Sequence, residues 1–213
     1  MKASVILPAY NEEKNIGKVI EAVKKTGKYE IIVVDDGSKD RTAEIAKEHG
    51  CITLRLSKNM GKGYACTQGA KIASHQNIIF IDSDAQHDAR EIPLLLEGLK
   101  NHDLVLGMRS FDDIPMQRKF SNTFARRVTS AAAKKKFSDV LCGFRAIKKD
   151  KFFGLKINKT RYEFEAEMLI KAARSGMKIT EVPVTVYYGV GSSMPPHESA
   201  KVTAYILGQV LRR

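Results

Sequence analysis

The chain has 213 residues, 43% of them hydrophobic and 28% charged, with 36 Lys and Arg against 24 Asp and Glu, a formal net charge of +12. That composition excludes global disorder, and the length suits one α/β domain burying roughly 70% of its unfolded surface. The charge is unevenly placed. Residues 1–108 hold 15 basic and 15 acidic side chains, while residues 109–213 hold 21 and 9, the whole surplus. The two halves should face different electrostatic partners.

The first half alternates short apolar runs with amphipathic stretches. Val5-Ile6-Leu7 precedes a helix over about 13–26, with Ile16, Val19, Ile20 and Val23 at helical spacing. Ile31–Val34 is a second strand, and a helix over about 40–49 starts at Ser38 or Asp40 and closes at Gly50. Ile52–Leu54, a helix over 63–74, Ile78–Ile81, a helix over about 88–100 and Leu104–Leu106 complete the series. Strands buried on both faces with helices between them predict a mostly parallel sheet with ligands at the carboxyl ends of its strands.

After Gly107 the rhythm changes. Residues 116–136 read as one long basic helix or two short ones, with Phe120, Phe124 and Val128 as an apolar stripe among Arg and Lys. A loop at Ser138–Gly143, a strand over Phe144–Ile147, a helix over about 162–175 and a strand over about 178–186 follow. A Gly/Ser/Pro-rich segment, Gly189–Pro196, leads into an amphipathic helix over about 198–211. No repeat or linker interrupts the chain, so residues 1–213 are expected to form a single domain.

Cys51, Cys66 and Cys142 are scattered and odd in number, which excludes a disulfide framework and a structural zinc. Met1–Pro8 is too soon interrupted for a secretory signal, and no apolar run approaches the ~20 residues that span a bilayer. A cytoplasmic protein is expected, at most peripheral on the inner face of the membrane.

Polar residues gather where the sheet's ligand edge should lie. The first strand runs into Pro8-Ala9-Tyr10-Asn11-Glu12, the second ends in Asp35-Asp36-Gly37-Ser38, and the fourth in Asp82-Ser83-Asp84-Ala85-Gln86. Five carboxylates on one rim are unfavourable unless a cation or donors compensate them. In extended chain Asp82 and Asp84 point to one side and can address one hard cation such as Mg2+ or Mn2+, with Gln86 adding a neutral oxygen. The alternative for the pair is a turn that caps the next helix. The Tyr10 ring offers a nucleobase a stacking face, and a nearby carboxylate can accept from a base N–H. Gly61-Lys62-Gly63 fails as a phosphate loop and as a dinucleotide fingerprint, and H-E-x-x-H and G-x-S-x-G are absent. His87, beside the D-x-D segment, reads as a supporting residue.

These residues resemble a family. Val5–Glu12, Ile32–Ser38 with Asp40, Asn59-x-Gly61-Lys62-Gly63 and Asp82–His87 look like the GT-A glycosyltransferases of family 2, in particular polyprenyl-phosphate (dolichyl-phosphate) mannose or glucose synthases. The likeness continues through Gly107–Ser110, Ser138-Asp139-x-x-Cys142-Gly143-Phe144-Arg145, Tyr162-x-x-Glu165-x-Glu167-Met168 and Glu181–Val184. It implies a GT-A fold with residues 1–108 as the nucleotide-sugar half and 109–213 as the acceptor half, carrying basic interface helices. Pro8, Tyr10, Glu12, Val34 and Asp36 would hold the nucleoside of a donor such as GDP-mannose or UDP-glucose. Lys62, Asp82, Ser83 and Asp84 would complete the donor site, and Asp82, Asp84 and Gln86 would hold the Mg2+ or Mn2+. Arg109 would lie near phosphate, since a guanidinium fork suits phosphate oxygens, or else pair with Asp112 or Asp113.

The implied reaction is inverting, metal-dependent transfer of a hexose to a polyprenyl phosphate, with Asp84, Arg109 and Asp139 in the catalytic set. A phosphate acceptor arrives ionised and needs no base. A hydroxyl acceptor needs one, and Asp139, with Arg145 as its partner, is the candidate. The basic stretch at 116–136 and the last helix, with Val202, Ile206 and Val210 beside Lys201, Arg212 and Arg213, have the pattern of helices lying on an anionic membrane surface. Residues 187–196 depart from the family, which has an arginine and a Ser-Lys pair there; Met194 stands at the lysine position. A soluble phosphorylated acceptor, or a basic nucleic-acid-binding module without turnover, are the alternatives. Nucleic acid is the less favoured of these, because the aromatics of the basic stretch follow a helix face and not a stacking platform.

Overall fold

The computed structural model describes residues 1–110, 116–188 and 196–211. In chain order it forms β1 (Ser4–Ala9), α1 (Ile16–Thr26), β2 (Glu30–Asp35), α2 (Thr42–Glu48), β3 (Ile52–Arg55), α3 (Lys62–Ile72), β4 (Asn77–Phe80), a 3-10 turn (Ala89–Glu91), α4 (Ile92–Leu99) and β5 (Leu104–Arg109). Then come α5 (Met116–Ala133), β6 (Arg145–Lys148), α6 (Lys149–Gly154), α7 (Glu163–Arg174), β7 (Ile179–Val184) and α8 (Pro196–Leu211). The expected elements are all present. The one-turn α6 was not anticipated, because six residues are too short a window for a helical period to emerge.

The seven strands lie in the order β3-β2-β1-β4-β6-β5-β7. Every neighbouring pair is parallel except those of β6, which runs antiparallel to both β4 and β5. That reversal matters for the site. It puts the segment entering β6, residues 138–144, at the edge where β1, β2, β4 and β5 end.

The apolar strand runs have their reason in two cores. Ile6, Ile32, Val34, Ile78 and Phe80 face one core with α3, α5 and α7, while Val5, Leu7, Val33, Ile79 and Ile81 face the other with α1 and α4. Both faces are covered, as parallel sheets require. The expectation of two-sided burial fails at β3, whose edge position leaves Ile52 48% exposed. The helix α3 lies very close to β1, since a Cβ on Gly69 would stand 2.5 Å from Ile6 Cγ2.

The second half departs from expectation in how its helices face. α5 is one helix, and it packs against α7 and α8 through Ala125, Thr129, Ala132 and Ala133, all buried. Small residues allow that close approach, and they turn Phe124 outward while Val128 is half-buried. The expected stripe is thus split; the side chain of Phe120 lies outside the described residues. Val202 and Ile206 of α8 face the core and not a surface. Leu207 is a large apolar residue exposed there. The segment Gly189–Pro195 and the acids Asp112 and Asp113 lie outside the described residues. Among those described, no helix is long and apolar enough to cross a membrane.

Candidate active site

The ends of β1, β2 and β4 deliver their polar residues to one edge of the sheet, and the edge sorts them into separate arrangements. Asp36, after β2, accepts from the N–H groups of Met60 and Gly61, both at 2.7 Å. Burial still pushes its carboxyl above the ordinary value, against those two bonds and the nearby charge of Arg161. Asp36 therefore holds the 58–61 turn onto the β2 end. Gly61 sits at φ +100°, where an added Cβ would meet the Thr160 carbonyl oxygen at 2.5 Å, so this turn has no room for a side chain. Asp35 is buried, accepts from Ser38 N at 2.9 Å and has Arg55 Nε 3.2 Å from its other oxygen.

The other carboxylates feel one another. Burial, and then the charge of Asp82, raise the Asp84 carboxyl. Burial likewise raises Glu12, with Asp84, Asp40 and Asp82 adding to it against a bond from Asn15. Of the five strand-end acids, the structure thus brings Glu12, Asp82 and Asp84 into one field and gives Asp35 and Asp36 partners of their own. Asp84 Oδ1 accepts from Gln86 N at 3.0 Å across Ala85, whose φ of +62° is left-handed for a non-glycine residue. Ser83 is buried and donates to the Pro8 carbonyl at 2.7 Å, tying the D-x-D loop to the β1 end. Tyr10 stands 42% exposed at that end, open to a flat ligand.

Asp82 is different from Asp84 because it has a cation. Lys62, at the start of α3, places Nζ 2.6 Å from Asp82 Oδ1 and 2.7 Å from Glu165 Oε1 of α7. Burial opposes the charge on Lys62, but the two carboxylates outweigh it and hold its pKa well above the ordinary value. Asp82 in turn lies well below the carboxylate range, since Lys62 and His87 outweigh its burial. His87 Nε2 is 3.8 Å from Asp82 Oδ2 and its ring packs on Phe144, a supporting position as expected. Glu165 is the residue that sequence reasoning underused. It is a glutamate on the buried face of α7 beside Phe164 and Ala166, and a charge there is itself a signal. Its Oε2 is buried without a hydrogen-bond partner among the described residues.

Gly143 is set by the same pair. A Cβ there would stand 2.6 Å from both Lys62 Nζ and Asp82 Oδ2. Gly143→Ala is expected to displace the ion pair and lower stability by about 1–3 kcal/mol, no more because both colliding atoms end side chains that can swing. Urea unfolding measures it; wild-type stability would show that the pair can move without consequence.

Arg109, at the end of β5, forks onto Asp139, with Nε 2.6 Å from Oδ2 and Nη2 2.9 Å from Oδ1. The expected partner of Asp139, Arg145, is elsewhere. It is fully buried and donates to the carbonyls of Val140, Cys142 and Glu165 at 2.7–2.8 Å. Burial would raise the Asp139 carboxyl, but the Arg109 bonds and charge hold it below the ordinary range, which makes it a weak base. A small pocket at this pair is lined by Arg109 and Asp139 with Asn122, Thr123, Arg126 and Ser138. Val34, expected near the nucleoside, has its side chain wholly in the core, so only its main chain is at hand.

The edge therefore offers a stacking ring, a turn built on Asp36, and a carboxylate group with hard oxygen donors. Residues 4–153 match the profile of glycosyl transferase family 2. The chain belongs to glycosyltransferase family 2. An uncharacterised protein of Methanocaldococcus jannaschii is 40% identical over 201 residues, spanning 86% of this chain and 87% of that one. The dolichol-phosphate mannosyltransferase of Pyrococcus furiosus is 34% identical over 200 residues, 87% of this chain but 56% of that protein. The dolichyl-phosphate beta-glucosyltransferase ALG5D of Trichomonas vaginalis is 30% identical over 222 residues, covering 90% of this chain and 67% of that one. Among solved structures, glucosyl-3-phosphoglycerate synthase from Mycobacterium tuberculosis, in complex with Mn2+, UDP and glucosyl-3-phosphoglycerate, matches with a TM-score of 0.78 at 20% identity. It covers 99% of this chain and 79% of that one, and establishes the GT-A fold of the transferase.

The donor set suits a hard divalent ion. Among the described residues no three His, Cys, Asp or Glu side chains converge to hold a metal alone. Mg2+ characteristically takes one or two carboxylates and completes its shell with substrate phosphate and water. Asp82 and Asp84 fit that pattern, being two carboxylates of one loop close enough for the charge of Asp82 to act on Asp84.

Proposed function

We propose that this transferase moves a hexose, mannose or glucose, from a nucleoside diphosphate sugar to a polyprenyl phosphate. The observation that carries the reading is the carboxylate group of Glu12, Asp82 and Asp84 at the strand ends, in which Asp82, held charged by Lys62, adds to the burial that raises the other two. Asp82, Asp84 and Gln86 would hold Mg2+ or Mn2+, which supplies neutralisation of the charge that builds on the departing diphosphate. Tyr10 stacks on the base, Asp36 fixes the turn beneath it, and Pro8, Glu12, Ser83 and the Val34 main chain line the nucleoside side. Lys62 holds Asp82 in place from the α3 end.

The acceptor side favours a nucleophile that arrives ionised. Asp139 is bound to Arg109, whereas a phosphomonoester has a second pKa of about 6 and needs no base. Arg126, at the small pocket beside the Arg109–Asp139 pair, supplies positive charge for a phosphate, with Arg109 available to it only by sharing its fork with Asp139. Inversion at the anomeric carbon follows from direct displacement by that phosphate. Residues 1–108 act as the donor half and 109–213 as the acceptor half, although Gly143 and Glu165 reach across to the donor edge. Phe124 and Leu207, exposed on α5 and α8, would rest on the cytoplasmic face of a membrane carrying anionic lipid. A second reading keeps the donor chemistry and takes a soluble phosphorylated acceptor; the solved relatives in complex with phosphoglyceric acid favour it.

A thermal-shift panel of GDP- and UDP-sugars with and without Mn2+ tests the donor side. A metal-dependent rise with one nucleotide is expected, and no rise with any sugar overturns the reading. Transfer is then assayed to polyprenyl phosphate in anionic vesicles and to phosphoglycerate in solution. Transfer confined to phosphoglycerate, without vesicle co-sedimentation, establishes the second reading.

A further inference from the structure

The D-x-D loop carries on its far side a seam that the donor chemistry does not use. Both oxygens of Glu91, in the 3-10 turn after the loop, accept from Thr185 N at 3.0 and 2.9 Å, and Oε1 also accepts from Thr185 Oγ1 at 2.8 Å. Two residues on, Tyr187 N donates to the Gln86 carbonyl at 2.8 Å, and His87 bridges Val186 in antiparallel fashion. The Tyr187 hydroxyl donates to Asp88 Oδ2 at 3.2 Å, and Arg90 grips the same carboxylate at 2.6 Å. Thr185 and Tyr187 are both exposed, so burial contributes little to this seating. Polar bonds hold it.

The seam joins two parts of the site that are distant in sequence. On one side are Asp84, Ala85 and Gln86, with Ala85 kept in its left-handed conformation. On the other is the continuation of β7, which carries Tyr188 toward the Arg109–Asp139 pair whose charges act on it. We propose that Glu91 is a positioning residue for transfer: by pinning Thr185 it seats residues 185–188 on the Asp82–Asp88 loop and holds the acceptor side in register with the diphosphate side. This rests on the donor reading above. Glu91 touches no substrate in this scheme; it acts through the loop and Tyr187. A misplacement of about 1 Å between reacting partners costs on the order of 100-fold in rate, so a clamp at this seam has leverage on turnover without contributing to donor binding.

The test compares Glu91→Ala with Glu91→Gln, whose amide oxygen still accepts from Thr185. Glu91→Ala is expected to lower kcat by about 10-fold with the KM for the nucleotide sugar within about threefold, and Glu91→Gln to restore kcat to within about threefold of wild type. Amide exchange in the unliganded protein should quicken at Tyr187 in Glu91→Ala and not in Glu91→Gln. If Glu91→Ala does not fold, Tyr187→Phe replaces it, removing a single bond to Asp88, with a fall in kcat at unchanged KM expected. Wild-type kcat in the alanine variant, or equal losses in the alanine and glutamine variants, or a kcat loss matched by weakened donor binding, overturns the proposal. Wild-type protein is assayed beside them. Its inactivity with every donor overturns the functional reading and this proposal with it, whereas an active wild type beside an unaffected variant overturns the proposal alone.

Discussion

Asp84→Asn is expected to reduce transfer by at least about 100-fold while the unliganded protein melts no lower than wild type. The two effects have one cause. Asp84 is a half-buried carboxylate pushed up by desolvation and by Asp82, and it raises Glu12 in turn. An amide of the same shape removes that repulsion and still accepts from Gln86 N, so the fold loses nothing and gains a little relief. The same amide is a poor ligand for a hard cation, and the charge on the departing diphosphate is then left without its neutralising partner. Turnover with UDP-glucose or GDP-mannose plus Mn2+, measured beside a thermal melt, checks both sides. Turnover within tenfold of wild type would remove Asp84 from the donor site, and a marked drop in melting temperature would make it a structural turn residue instead.

Asp139→Asn should have the largest effect on stability, about 3 kcal/mol at pH 7, because it leaves the Arg109 guanidinium without a counter-charge in a largely buried position. An exposed pair such as Arg41–Glu48, with side chains 67% and 60% exposed, is worth a small fraction of that. The pH dependence has a definite sign. Burial alone would raise the Asp139 carboxyl, but Arg109 wins and the folded-state pKa lies below the unfolded value of about 3.9. A depressed carboxyl stabilises the fold fully above the unfolded pKa, and the contribution is lost as pH falls through the folded one. The gap between wild type and Asp139→Asn in urea unfolding should therefore be widest from pH 5 to 7 and shrink below about pH 4. A gap that stays constant or widens on acidification would show that the pair does not set the stability of this corner.

Much of the architecture was legible because local and global signals agree. Ile16, Val19, Ile20 and Val23 line the buried face of α1 as their spacing requires, and the apolar runs at β1, β2 and β4 are buried on both sides. Where residues do not fix their own surroundings, the reading failed. The spacing of Phe120, Phe124 and Val128 suggests an apolar stripe, but the small residues Ala125, Thr129 and Ala132 decide how α5 packs, since they let neighbouring helices approach. Arg145 is the partner expected for Asp139, yet β6 carries Arg145 inward onto three carbonyls and leaves Asp139 to the end of β5.

The charge arithmetic has the same limit. Sequence alone determines that the acids of a neutral first half collect at strand ends, because parallel strands with helical crossovers place their carboxyl ends on one edge. It also determines the family, through motifs whose order and chemistry agree. Only the tertiary structure decides which of those acids are compensated. Asp36 meets two backbone N–H groups but stays raised by its burial, Asp35 meets Ser38 and Arg55, and Asp82 meets Lys62, which holds it low while Glu12 and Asp84 are raised. Pairing of charges depends on distances of a few ångströms between segments far apart in the chain. The reversed strand β6 and the side-chain-free approach at Gly143 set those distances here, and no periodicity in the sequence encodes them.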